Sequence, residues 1–164
     1  PGRELTVAHP GDARLRRIFL AGDVYTILVA CDQTAVRYCL IAMHVLDGGG
    51  PPPHRHDFEE MFTLLEGELE VTFRGQTQTV RAPATINIPA NAPHFFRNAS
   101  ERETRTPCLR TPAGQEEFFA AVADPLPSRP REAPQHAGEA LPYRRALLDR
   151  LAPAHRQELL KQKC

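Results

Sequence analysis

The 164-residue sequence carries no excess of charge of either sign. It contains 20 basic residues (Lys and Arg) and 20 acidic residues (Asp and Glu), so its formal net charge at pH 7 is zero. A chain without a basic surplus lacks the electrostatic footprint of a nucleic-acid or anionic-membrane binder. We therefore expect a small-molecule substrate as its partner, and neither a nucleic acid nor a membrane.

Long apolar runs and cysteine motifs are also missing. No segment approaches the roughly 20 residues that a membrane-spanning helix requires, and no signal-peptide pattern is visible. The chain begins at Pro1 without a Met, which leaves room for residues upstream. Its four cysteines show no paired metal spacing and no dense framework, so we expect reduced thiols and a cytoplasmic location. They are Cys31, Cys39, Cys108 and Cys164.

Short apolar segments, separated by Gly, Pro and Asn, occupy the first two thirds of the chain. Leu69, Val71 and Phe73 alternate with polar residues, which is typical of a strand that is wet on one face. This spacing of short strands predicts an all-β sandwich or barrel with these three side chains inside, and no helix before Gly114. The predicted strands are 14–20, 23–30, 36–46, 58–65, 68–73, 76–80, 84–88, 94–98 and 104–109.

At this length we expect one domain with flanking segments. Residues 144–151 and 154–160 place leucines at helical spacing on either side of Pro153. This pattern predicts a pair of amphipathic helices that pack on the chain's own barrel or on a partner's, in a homodimer. The predicted organisation is an N-terminal arm at 1–13, a β-barrel with a closing helix at 14–123, a Pro-rich linker at 124–142 and a helical tail at 143–164.

The segment that carries chemistry follows a Gly-Pro run at 48–53, which disfavours a helix and keeps the chain extended. His54, His56 and Glu60 stand at positions of equal parity. In an extended chain their side chains project to the same side, so one strand would bring them to one point. Two imidazoles and a carboxylate suit divalent iron, among other metals. The alternative is that the histidines are surface residues after a proline loop.

This segment resembles the first motif of the cupin superfamily, written G(X)5HXH(X)3-4E(X)6G. The positions that meet it are Gly48, His54, His56, Glu60 and Gly67.

The second cupin motif, G(X)5PXG(X)2H(X)3N, is met in part. Pro89, His94 and Asn98 match, whereas Pro83 and Asn91 stand where the family has glycine. Asn tolerates the left-handed conformation, so we expect a positive φ at Asn91. Pro83 cannot adopt a positive φ, so its turn must differ from the usual one. We expect Asn98 to hold a turn through backbone hydrogen bonds.

The resemblance covers roughly residues 24–123 and is to the small single-domain cupins often labelled quercetin-dioxygenase-like. It implies a double-stranded β-helix, the cupin jelly-roll barrel, followed here by short C-terminal helices. It also implies one divalent metal ion (Fe, Mn, Ni, Zn, Co or Cu), with iron as the first choice. The implied ligands are His54, His56, Glu60 and His94.

Three neutral imidazoles and one carboxylate around a divalent ion leave a charge of about plus one, which favours an anionic oxygen. Phenylalanines beside the ligands in sequence (Phe62, Phe73, Phe95 and Phe96) would supply apolar walls. One hypothesis is a dioxygenase-type oxidoreductase on a small aromatic or enolic substrate, with Glu60 as catalytic base. A second is a non-catalytic, metal-stabilised module that binds a small ligand. An isomerase or lyase stays open, because this fold hosts many reactions.

Overall fold

The computed structural model describes residues 2–20, 22–126 and 141–160. Its helices are α1 (Cys31–Thr34), α2 (Gln115–Val122) and α3 (Leu141–Leu151), and a 3-10 turn follows at Ala152–His155. Its strands are β1 (Arg17–Leu20), β2 (Asp23–Val29), β3 (Cys39–Val45), β4 (His54–His56), β5 (Glu59–Leu64), β6 (Glu68–Phe73), β7 (Gln76–Arg81), β8 (Ala84–Ile88), β9 (His94–Arg97), β10 (Thr104–Thr111), β11 (Asp124–Leu126) and β12 (Gln157–Leu159).

These strands form two antiparallel sheets. The larger sheet has the order β11-β1-β2-β3-β10-β5-β8, and the smaller has the order β12-β4-β9-β6-β7. The two-sheet, all-β prediction is confirmed. Strands β1 and β3 each start three residues later than predicted, β1 at Arg17 and β3 at Cys39. Ala35 and Val36 follow α1 with left-handed φ values of 52° and 62°, which delays the start of β3.

The core lies between the sheets and is built from alternate residues of facing strands. Leu69 and Val71 are 1% and 5% exposed, which confirms their predicted inward orientation. Phe73 is partly buried and packs against the same core. From the large sheet, Ile41 and Phe62 are 0% and 2% exposed. Burial of this apolar surface, at about 25 cal/mol per Å², is the main favourable term for the fold.

Helix α1 corrects the prediction that helices occur only after Gly114. The strands predicted at 23–30 and 36–46 imply only a break in the chain at residues 31–33. The Ala30 backbone N–H instead donates to the Gln33 side-chain oxygen at 2.8 Å, which closes a single helical turn. A turn this short has no apolar periodicity, so the sequence pattern could not indicate it.

The C-terminal helix pair is also corrected. The first helix is present as α3, but residues 154–160 are not helical. After the 3-10 turn, Arg156 takes a left-handed φ of 64°, and β12 then pairs with β4. In this register Gln157 lies opposite His56 and Leu159 lies opposite His54. The edge of β4 offers unpaired backbone donors and acceptors, and three residues of β12 satisfy them.

The structure differs from the predicted linker at 124–142 at both of its ends. Asp124–Leu126 pairs with β1 as a strand, and α3 already begins at Leu141; residues 127–140 lie outside the described residues. The predicted arm contains neither helix nor strand over residues 2–13. Within the described ranges, no helix is long and apolar enough to cross a membrane.

Candidate metal centre

The four candidate ligands come from three strands in both sheets. His54 and His56 lie on β4 and His94 on β9, which are neighbours in the smaller sheet with His54 opposite His94. Glu60 lies on β5 in the larger sheet. The expectation that one strand carries His54, His56 and Glu60 is therefore wrong. The chain bends at 57–58 and crosses between the sheets, so the carboxylate faces the imidazoles across the interior.

The ligand atoms of these residues converge in a buried pocket. Glu60 Oε2 lies 3.3 Å from His56 Nε2 and 3.3 Å from His94 Nε2. With His54 included, one ligand atom from each residue lies within 4.8 Å of the others. The residues are 1–7% exposed. Ligand atoms about 2.0–2.2 Å from a common ion are themselves about 3–4 Å apart, so this spacing fits one metal ion.

Backbone carbonyls fix the tautomer of all three imidazoles. His54 Nδ1 donates to Pro52 O at 2.9 Å, and His56 Nδ1 donates to Phe58 O at 2.9 Å. His94 Nδ1 donates to Ala92 O at 2.8 Å. A carbonyl only accepts hydrogen bonds, so each Nδ1 carries a proton, and the metal-binding form of each ring turns its Nε2 lone pair toward Glu60.

Those lone pairs need a cation between them. Three Nε2 lone pairs that face a carboxylate repel it unless a proton or a metal ion intervenes. Burial, followed by the nearby His94, lowers the pKa of His54 to about 3, so this ring is neutral at pH 7. Neutral imidazole is the form that binds metals. The donor set of three nitrogens and one oxygen suits Fe, Zn, Ni, Mn or Co.

Arg110 completes the pocket and was missed by sequence reasoning. Its Nη2 lies 2.5 Å from Glu60 Oε1, the oxygen that does not face the histidines. Arg110 and Glu60 are cross-strand partners on β10 and β5, and Arg110 is only 6% exposed. Burial alone would raise the pKa of Glu60, but the guanidinium of Arg110 holds it well below its ordinary value. The carboxyl is therefore ionised.

A signal for Arg110 does exist in the sequence. Along β10 the buried residues are Thr104, Thr106, Cys108 and Arg110, so Arg110 has inward parity. The predicted strand ends at Leu109, two residues before the observed end at Thr111, so it leaves Arg110 outside. Burial alone would lower the pKa of Arg110, but the Glu60 carboxylate raises it above its ordinary value, so the guanidinium stays charged.

The second-motif residues support the ligand strands. Asn91 has a φ of 64°, which confirms the predicted left-handed turn, and its N–H donates to His56 O at 2.6 Å. Asn98 is fully buried and its Nδ2 donates to Val45 O and Arg102 O at 2.9 and 2.7 Å, as predicted for a turn-holding residue. Pro83 lies in the turn before β8, after a cis peptide bond with Ala82.

A small cavity of about 50 Å³ opens beside the ligands. Of the phenylalanines predicted to line it, Phe96 does so, and Phe62 packs edge-on against Phe96 with ring centroids 5.2 Å apart. Other walls come from parts of the chain without a predicted role in the site. They are Leu20, Tyr25, Phe118 and Phe119, with Leu148 and Leu159 from the C-terminal segment.

Comparisons with known proteins agree with this geometry. Residues 42–109 match the family model described as a cupin domain. A protein named polyketide synthase CurC, from Streptomyces cyaneus, is 32% identical over 85 residues, which are 51% of this chain and 55% of that protein. Quercetin 2,3-dioxygenase from Bacillus subtilis (strain 168) is 26% identical over 124 residues, which are 75% of this chain and 36% of that protein. The chain thus spans about half or less of the length of these curated relatives.

Solved structures show the same fold. The polyketide cyclase RemF from Streptomyces resistomycificus superposes with a TM-score of 0.58 and 24% identity, covering 66% of this chain and 80% of that one. An RmlC-like cupin from Shewanella frigidimarina NCIMB 400 superposes with a TM-score of 0.53 and 15% identity, covering 63% and 86%. The two-sheet jelly-roll barrel and the match of residues 42–109 to the cupin-domain model identify the barrel of this chain as a cupin domain.

Proposed function

We propose that the chain is a metal-dependent cupin that binds one divalent ion through His54, His56, Glu60 and His94, with iron as the first candidate. The observation that carries this proposal is the convergence of three imidazoles with a carboxylate in one buried pocket. The Nδ1 contacts to backbone carbonyls add to it, because they prepare each ring to bind a metal before any ion arrives.

The reaction that we propose is of the dioxygenase type, on a small aromatic or enolic substrate. A divalent ion in this site would supply Lewis acidity toward an oxygen anion and, in the case of iron, redox reactivity toward dioxygen. The similarity to quercetin 2,3-dioxygenase extends over 75% of the chain and supports this choice. Apolar walls such as Phe96 and Phe119 would exclude water and hold the body of the substrate.

Glu60 has two proposed roles, as a metal ligand and as a catalytic base. Its Oε1 is engaged by Arg110, and its Oε2 faces the imidazoles, so neither oxygen is turned toward open space. The guanidinium also makes the carboxylate less basic. A role for Glu60 as catalytic base stays a prediction that requires the carboxylate to leave one of these contacts during turnover.

A non-oxidative reaction on an enolic substrate is the second candidate. The relative with 32% identity is named a polyketide synthase, and poly-carbonyl chains of that kind form enolates readily. The pocket would stabilise such an enolate through the same charges, without dioxygen. This candidate belongs to the isomerase or lyase class that the sequence left open.

The test is dioxygen consumption by protein loaded separately with iron, manganese or nickel, with catechol, flavonol and 1,3-diketone substrates and their carboxylated analogues. We expect metal-dependent oxygen uptake with at least one substrate. Substrate loss at the same rate under nitrogen would favour the non-oxidative candidate. Stoichiometric metal with no turnover of any substrate would move the proposal to a non-catalytic binding role.

We further propose a homodimer that works in the cytoplasm. The cysteines that the described part of the chain contains, Cys31, Cys39 and Cys108, are free thiols, which is in keeping with a reducing compartment. Sedimentation equilibrium of the purified chain tests the dimer, and fractionation of the source cells tests the location.

A further inference from the structure

Arg110 has more hydrogen-bonding capacity than its contact with Glu60 uses. Only Nη2 makes that contact. Nε and Nη1 are buried and have no hydrogen-bond partner among the described residues. The side chain is also buried, with only 7% of it exposed. Unpaired donors on a buried charged group are costly, so these nitrogens indicate a group that pairs with them when the site is in use.

The guanidinium is also held in a defined position on the wall of the cavity. Arg110 lines the same cavity as His54 and Glu60. Its Cζ lies 4.6 Å from the ring centroid of Phe119, which packs edge-on against Tyr25 at 5.2 Å. One ion pair and one aromatic face therefore fix Arg110 before a ligand binds. Such preorganisation lowers the entropic cost of binding.

The charges of the cavity favour an anion. Glu60 is the only acidic residue among the described residues that line it, and Arg110 balances its charge. A divalent ion on three neutral imidazoles and Glu60, together with the guanidinium of Arg110, would leave a net charge of about plus two. The remaining walls are mostly apolar and cannot balance this positive charge, so a bound anion is expected to balance it.

We propose that Arg110 binds the carboxylate of the substrate, and that the substrate is therefore a small organic carboxylic acid with an apolar body. A second oxygen of the same molecule would face the metal ligands His54, His56 and His94. This inference rests on the proposed metal-dependent function and narrows it, because neutral flavonols or diketones would leave the Arg110 donors unpaired. It makes Arg110 a substrate-binding residue in addition to the partner of Glu60.

The test uses zinc-loaded protein, because zinc is redox-inactive and excludes turnover with dioxygen. Metal content is measured first. Isothermal titration with acetate is then compared with titration with acetamide, its neutral analogue of equal size. The variants are Arg110→Met, which removes the charge, and Arg110→Lys, which keeps it without the planar donors. The matched control is Arg105→Met, an exposed arginine on the same strand.

We expect wild type and Arg105→Met to bind acetate equally and acetamide much more weakly. Arg110→Met should lose acetate affinity by about 10–100-fold, the value of a charge-assisted hydrogen bond, and Arg110→Lys should lose part of it. Equal acetate affinity in wild type, Arg110→Met and Arg110→Lys, with full zinc in each, would overturn the role of Arg110 and leave the proposed function standing. A wild type that takes up no zinc would overturn both.

A second measurement covers the case in which the Arg110 variants do not fold. In wild-type protein labelled with nitrogen-15, the Nε–H signal of Arg110 should shift as acetate saturates the site and should not shift with acetamide. An Nε–H signal that acetate leaves unchanged would contradict the proposal without any variant.

Discussion

Arg110 pairs with only one of the two carboxylate oxygens of Glu60. Arg110 Nη2 lies 2.5 Å from Oε1, whereas Oε2 faces His56 and His94 at 3.3 Å. One carboxylate thus serves a guanidinium on one side and the metal position on the other. The guanidinium needs a hydrogen-bond acceptor and a metal ion needs an electron-pair donor, and each carboxylate oxygen can serve in either way.

This relationship changes the expected effect of Glu60→Gln. From sequence alone the variant would keep its metal and lose its chemistry, because an amide retains one oxygen donor. Arg110 only donates hydrogen bonds, so it would take that oxygen and leave the amide nitrogen facing the imidazoles. We therefore expect metal affinity to fall by about 10–100-fold, as for other losses around metal ligands.

A double variant separates this effect from a simple loss of charge. In Glu60→Gln with Arg110→Met, the amide oxygen is free to turn toward the metal, so part of the affinity should return. Competitive zinc titration against a chromophoric chelator measures all four proteins of the cycle. If the loss of zinc-binding free energy in the double variant equals the sum of the losses in the two single variants, Arg110 does not orient Glu60.

The turn at Asn91 gives a prediction about stability. Because Asn91 has a φ of 64°, Asn91→Gly should be neutral or mildly stabilising. Asn91→Val should cost about 1–3 kcal/mol of unfolding free energy, since a β-branched residue clashes in the left-handed region. Urea unfolding measures both. The control is Asn87→Val on the extended strand β8, where valine fits well and should cost little.

Asp23 gives a prediction about pH. Burial raises the pKa of its carboxyl well above the ordinary 3.8, and the hydrogen bond from Tyr25 only partly opposes this. Its Oδ1 has no hydrogen-bond partner among the described residues. The folded protein therefore binds more protons here than the unfolded chain. The stabilisation is fully present below about pH 3.8 and is lost as the pH rises through the folded pKa.

Asp23→Asn removes this pH dependence, because an amide does not ionise. The variant should be no more stable than wild type near pH 4 and more stable at pH 7. Urea unfolding across this range gives the difference, with the exposed Asp47→Asn as a control. A difference between Asp23→Asn and wild type that stays constant from pH 4 to pH 7 would show that Asp23 is ionised in the fold.

The C-terminal segment sets the size of the cavity. Leu148 of α3 and Leu159 of β12 close a space of about 50 Å³, far below the several hundred Å³ typical of sites for drug-sized ligands. Leu148→Ala should widen it at a cost of about 1–3 kcal/mol of stability. We expect benzoate to bind zinc-loaded Leu148→Ala more tightly than wild type.

Leu147→Ala is the matched control for Leu148→Ala. Leu147 packs on the core from the same helix and does not line the cavity. It should lose similar stability without gaining benzoate affinity. Equal benzoate affinity in wild type and both variants would show that Leu148 does not limit the size of the ligand.

The pair His54 and His56 could be predicted from sequence because its spacing is local, whereas His94 is expected only from the resemblance to the second cupin motif. His54 and His56 are two residues apart on one strand, so a short pattern contains their relationship. The position of Glu60 in the other sheet could not be predicted. The bend at 57–58, which carries the chain from one sheet to the other, does not interrupt the alternating pattern of residues in the sequence. The residues converge as expected, but from both sheets.

Arg110 and β12 show what local patterns leave out. Arg110 meets Glu60 through the pairing of β10 with β5, and that register is decided by the packing of the whole sheet. Gln157–Leu159 becomes a strand because the edge of β4 is available, and three residues hold too little pattern to distinguish strand from helix. Tertiary structure therefore determines which residues surround the ligands.

The most direct test of the central claim is the metal content of purified protein by inductively coupled plasma mass spectrometry, after loading with divalent iron or zinc under nitrogen. We expect about one ion per chain in wild type and in His44→Ala, a control at a partly exposed histidine paired with Glu103. His54→Ala, His56→Ala and His94→Ala should each hold far less than one ion while remaining folded. A full equivalent of metal in His54→Ala would contradict the assignment of this pocket as the metal site.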